Sequence, residues 1–146
     1  MREALHTILF ANRFERRLDV LIAAVVAIGT FVMYATGSFS ADGGVVFLPL
    51  DATLVGAVAA AGIGYRHGSL LGAWVTLFGA YAAFFAEWAF LGLSSHTLAG
   101  KLAFLFDPVS IGLSALAAIV FGTAAFAVGY VGVRGVNWLA KKRAKL

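Results

Sequence analysis

The sequence predicts an all-α integral membrane protein, with four transmembrane helices in a compact bundle. Three observations support this. Of the 146 residues, 62% are hydrophobic and 12% are charged, whereas a soluble domain usually carries about 25% charged residues. The apolar residues gather into four runs, each near the roughly 20 residues that a helix needs to cross a bilayer. The charges collect at the ends of those runs, where membrane orientation explains them. A chain of this length makes one domain, read here as a single four-span membrane domain over residues 1–146.

Residues 1–17 mix Leu5, Ile8, Leu9, Phe10 and Phe14 with six charged side chains. This pattern suits a short helix lying at the membrane surface; the competing reading is a frayed terminus. Span one covers about 18–35 and is read as uncleaved, because its apolar run exceeds that of a signal peptide. Thr36, Gly37, Ser38, Asp42, Gly43 and Gly44 close it as turn residues. Span two covers about 49–65. Pro49 suits a first helical turn, where its missing N–H is harmless, and Asp51 favours the positive helix end. The turn Tyr65-Arg66-His67-Gly68 leads into span three, about 69–93. Between 96 and 106, Leu98, Leu102, Leu105 and Phe106 share one side at helical spacing, which predicts a short interfacial helix. Asp107-Pro108 is a helix start, with Asp as the cap and Pro in the first position. Span four follows over about 109–133, and the tail after it is basic.

With both ends in the cytoplasm of a multi-pass cell-membrane protein, ten of the eleven Lys and Arg residues lie inside, and Lys101 alone lies outside. The opposite orientation inverts that ratio, so the preference for basic residues on the inner side selects this one. The net charge of +4 is therefore read as a topology signal, with no nucleic-acid partner. Arg66, Lys141, Lys142 and Arg143 are the expected lipid-headgroup contacts.

The helix faces follow from spacing. In span three, Trp74, Phe78, Tyr81, Phe85 and Trp88 form one aromatic stripe, while Gly72, Thr76, Gly79, Ala83 and Glu87 form the opposite, small face. Small faces let helix backbones approach closely in lipid. The Gly72–Glu87 face is therefore expected to look into the bundle, and the aromatic stripe toward lipid or a second subunit. In span four, Ala115, Gly122 and Gly129 recur at sevenfold spacing, as do Ala118, Ala125 and Gly132, and together they form a small stripe opposite Leu113, Leu116, Val120 and Val131. Gly56, Ala60, Gly64 and Gly68 repeat every four residues in span two. The expected helix-packing residues are Gly72, Gly79, Ala83, Ala115, Gly122 and Gly129.

Little in the sequence carries chemistry. No cysteine is present, so disulfides, thiolate metal sites and iron–sulfur clusters are excluded. Serine-nucleophile patterns, phosphate loops and His-Glu metal motifs are lacking. No cofactor or metal is expected. Glu87 lies deepest among the acids, about 27 Å along the helix from Ser69. An acid at that depth is read either as an ion or proton site, or as an interfacial carboxylate paired with Lys101 or capping a helix. Asp51 and Asp107 are candidates to join it in an outer acidic cluster, although capping explains each. The span count resembles that of small four-helix multidrug transporters. Those proteins place their glutamate in the first span, where this chain has no acid beyond Asp19 at the inner end, and that mismatch argues against the assignment.

Three functions compete on these grounds. The first is a non-enzymatic packing or accessory subunit, or a homo-oligomer, with the bilayer and either itself or another membrane protein as partners. The second is a proton- or cation-linked transporter or channel using Glu87. A membrane-embedded lipid-modifying enzyme is the third and the weakest.

Overall fold

A computed structural model describes residues 2–10, 13–40 and 48–143, the side chains of 2–4 excepted. The expected turn residues Asp42, Gly43 and Gly44, and Lys145 of the basic tail, lie outside the described residues. Every regular element described is helical: α1 (Arg2–Phe10), α2 (Arg13–Ala35), α3 (Leu50–Tyr65), α4 (Leu70–Glu87), α5 (Leu98–Leu105) and α6 (Pro108–Arg143). A π-helical turn, Trp88–Gly92, prolongs α4. Three stretches are long and apolar enough to cross a membrane: Arg13–Ala35, Leu70–Gly92 and Leu98–Arg143. The fourth apolar helix, α3, has 16 residues, or about 24 Å at 1.5 Å per residue.

The helix ends form where the local sequence provides caps. Ser69 caps α4 by accepting from the Gly72 N–H at 2.9 Å. Thr97 does the same for α5 through Gly100, and Asp107 for α6 through Ser110 at 2.8 Å. Pro49 stands one place before α3, and its carbonyl accepts from the Thr53 hydroxyl at 2.8 Å. At the other end of α3, the His67 N–H bonds the Gly64 carbonyl and the Gly68 N–H bonds the Ile63 carbonyl. His67 takes a left-handed φ of 60°. This is a Schellman ending, in which the left-handed position usually holds glycine.

The centre of the molecule is α4. Its contacts with α2 run in parallel register, from Asp19–Ser69 through Ala27–Gly79 to Tyr34–Phe84. With α3 it runs antiparallel: Gly56 meets Leu77, and Thr53 shares a hydrogen bond of 3.1 Å with Tyr81. With α6 it is antiparallel as well, Gly122 lying on Trp74. The α3–α6 seam is the closest. Gly64 abuts the Phe126 carbonyl, and Gly129 abuts the Ala61 carbonyl, so a Cβ at either place would strike backbone. Such glycine contacts bring Cα–H groups onto facing carbonyls and let dispersion act between backbones.

One expectation about faces needs correction. The aromatic stripe of span three does not turn outward as a unit. Tyr81 is fully buried, and Phe78 and Phe85 pack against the core. The Trp74 indole N–H donates to the Thr123 hydroxyl of α6 at 2.9 Å. Of the five, Trp88 alone is exposed. The physical reason is that α4 has neighbours on three sides, so its small face meets α2 while its aromatic face meets α3 and α6. On α4 the outward-facing apolar side chains include Leu71 and Val75, and the flanking helices add more, as with Val25 and Ile28 of α2 and Leu116 and Val120 of α6.

Candidate functional site

One buried, charged side chain binds across three segments of the fold and has no role expected from its place in the sequence. Asp19, six residues into α2, is 2% exposed. Its Oδ2 accepts from the Ser69 N–H at 2.9 Å and from the Ser69 hydroxyl at 2.6 Å. Its Oδ1 accepts from Arg66 Nη2 at 3.2 Å in an ion pair. Gly68 and Gly72 leave the room for it: a Cβ at Gly68 would lie 2.7 Å from Oδ1, and one at Gly72 would lie 2.6 Å from Oδ2. The carboxylate thus sits at the head of α4, where free N–H groups and the helix dipole favour negative charge. Ser69 relays the contact, donating to Asp19 and accepting from Gly72. Beside Asp19 lies an almost wholly apolar cavity of about 130 Å³, walled by Leu9 and Phe10 of α1 and by Val20, Leu71 and Val75.

The signal in the sequence is the pattern Gly68-Ser69-xx-Gly72 across a turn. A helix start flanked by two glycines makes space for an incoming side chain. Spacing does not supply which acid fills it, since Asp19 and Ser69 are 50 positions apart.

The expected site residues are placed as follows. Glu87, the last residue of α4, is half-buried. The expected pairing with Lys101 does not form; the Lys101 ammonium instead reaches the Phe90 carbonyl in the π-helical turn. Asp51 accepts from the Ser40 N–H at 3.2 Å. Asp51 and Glu87 both lie near the buried Tyr34 hydroxyl, which the Ala52 backbone N–H also approaches. Asp107 is occupied by the N–H and hydroxyl of Ser110, each at 2.8 Å. Among the described residues, no three His, Asp or Glu side chains are grouped so as to hold a metal ion.

Of the residues expected to pack, Gly72, Ala83, Gly122 and Gly129 are buried, and Gly79 and Ala115 are half-buried. Arg66, expected at lipid headgroups, is drawn to Asp19 while keeping 37% of its side chain exposed. Lys141, Lys142 and Arg143 are exposed on the last turn of α6, where the Lys142 ammonium lies 5.2 Å from the Trp138 ring.

Fold and site together define a class: an all-helical chain with three helices long and apolar enough to span a membrane, tied across helices by a buried carboxylate. Beyond the class, comparison with protein-family models, with curated proteins and with solved structures finds no match to this chain.

Proposed function

We propose that this chain is a four-pass membrane protein with both ends on the cytoplasmic side, acting as a packing or accessory subunit or as a homo-oligomer, without enzymatic activity. In this topology α3 is the second of the four spans, and the π-helical turn and α5 lie near the outer surface. The observation that carries the reading is the full engagement of Asp19. A carboxylate that couples ion movement has to exchange its partners, whereas this one is committed to Ser69 and Arg66 on the neighbouring helices. The glycine seams support the same reading, since their value lies in holding helices together. The test is native mass spectrometry of the protein released from nanodiscs at low loading. A defined oligomer, or a stoichiometric complex with another membrane protein, is expected. A monomer that conducts ions in liposomes would overturn the proposal.

A second reading, proton- or cation-linked transport, is favoured by the approach of Asp51 and Glu87 to the buried Tyr34 hydroxyl. Under that reading, Glu87→Gln abolishes pH-driven flux in liposomes and leaves the fold intact. Under the first, neither form conducts.

A further inference from the structure

At the end of the bundle that holds Asp19, the second half of α6 meets the turn after α3 around the ring of Tyr130. The Arg134 guanidinium lies 4.5 Å from the centre of that ring, and its Nη2 donates to the Tyr130 hydroxyl at 2.6 Å. The His67 ring stands edge-on to Tyr130, with 5.4 Å between centres. Phe126, one turn earlier in α6, stacks on Tyr130 at 6.1 Å. Arg134 and His67 are exposed and Tyr130 is half-buried, so the group is reached from the surface.

These three side chains present donors with no carboxylate to receive them. The Tyr130 oxygen accepts from Arg134, which leaves its own proton to give, and among the described residues no protein acceptor takes it. The Arg134 guanidinium keeps further N–H donors beyond the one spent on Tyr130, and His67 adds a ring N–H. Asp19, the carboxylate bonded to this turn, is already taken by Arg66 and Ser69, so it answers none of them. His67 also occupies a left-handed φ of 60°, a conformation that costs a side chain and gathers at functional sites. The ligand that fits is an anion with several oxygens. A phosphate monoester carries a charge of about −1.5 to −2 and three acceptor oxygens, and guanidinium–phosphate pairs are strong charge-assisted bonds. A phosphodiester headgroup offers fewer free oxygens, and a choline would add a positive charge that Arg134 repels. Val131 stands three residues before Arg134, on the same side of α6, and is exposed. It gives an acyl chain apolar surface that a free phosphate could not use.

We propose that Arg134, Tyr130 and His67 bind the terminal phosphate of a membrane lipid whose headgroup is a phosphate monoester. The four-pass topology puts this site at the cytoplasmic surface, and the test does not depend on which surface that is. Delipidated protein in a neutral detergent is titrated with phosphatidic acid, with phosphatidylglycerol and with inorganic phosphate, and bound molecules are counted by native mass spectrometry. One saturable phosphatidic acid per chain is expected, with the other two probes about tenfold weaker or more. Tyr130→Phe keeps the ring and removes the hydroxyl, and should weaken phosphatidic acid binding about tenfold, the effect of losing one hydrogen bond. His67→Gly should weaken it as much while the thermal midpoint stays at or above that of wild type, because glycine takes the left-handed φ freely. Lys142→Gln, on the last turn of α6, should change binding little. If Tyr130→Phe proves unstable, His67→Gly decides alone. Equal affinity for the two lipids would show attraction to negative charge in general and overturn the proposal. Inorganic phosphate binding as tightly as phosphatidic acid would overturn it too, by marking a site for a soluble anion. So would unchanged affinity in His67→Gly, a loss as large in Lys142→Gln, or no saturable binding by folded wild type.

Discussion

Asp19 and Ser69 share a hydroxyl hydrogen bond of 2.6 Å that fastens the start of α2 to the head of α4. Because Asp19 also takes the Ser69 N–H and the Arg66 guanidinium, its removal leaves donors unanswered on both α4 and the turn before it. Asp19→Ala should therefore lower bundle stability by about 2–4 kcal/mol, combining lost charge-assisted bonds with an unsatisfied buried N–H. Asp19→Asn, which keeps an acceptor for Ser69, should cost less. Arg66→Ala should cost least, because a partly exposed partner is screened by solvent. Unfolding in mixed detergent micelles gives the order; Arg66→Ala proving the worst of the three would show that the ion pair, and not the cap, holds the helices.

The glycines of α6 separate packing from mere composition. Gly129→Ala places a Cβ against the Ala61 carbonyl, which is backbone and cannot step aside. A loss of about 1–3 kcal/mol is expected, as overpacking costs in a dense core. A Cβ at Gly132 would meet nothing within 4 Å, so Gly132→Ala should be neutral or stabilising by up to about 1 kcal/mol. The same unfolding assay compares them, and equal losses would place the seam elsewhere.

His67 holds a left-handed φ that glycine adopts freely, while the glycine stands one place later. Gly68 is needed where it is, because its Cβ would meet Asp19 and Ile63. His67→Gly should therefore relieve backbone strain of about 1 kcal/mol, less whatever the edge-on contact with Tyr130 at 5.4 Å contributes. Gly68→Ala should destabilise. A destabilised His67→Gly with an unaffected Gly68→Ala would reverse this account of the turn.

Orientation is tested by single cysteines in a chain that has none of its own. Ser40→Cys, after α2, should react with an impermeant maleimide from outside intact cells. Lys142→Cys, on the last turn of α6, should react after permeabilisation alone. Labelling of both from one side would contradict the four-pass topology.

Local signals make much of this architecture legible. The Asp107-Pro108 cap, the Pro49 start and the Ser69 start are short-range chemistry, and helices begin there in the structure. The Gly72, Gly122 and Gly129 positions stand out because small residues repeat at helical spacing. Pairings between distant segments are not legible. Tyr81 reads as a lipid-facing ring until α3 brings Thr53 to its hydroxyl. Asp19 reads as an interfacial charge until the turn after α3 brings Arg66 and Ser69 to it. Glu87 draws attention through its depth along one helix, a measure that says nothing of what the other helices offer it.

The Asp19 tie also imposes an order in time. The ribosome makes Asp19 well before residues 66–72, so α2 first carries its carboxylate with none of its eventual partners yet synthesised. Until the Arg66–Ser69 turn emerges, this tie fixes nothing about the rotation of α2 around its own axis. The arrival of that turn neutralises the charge, sets the rotation of α2 and caps the helix that follows. The α2–α4 pairing thus begins at the same turn that starts α4.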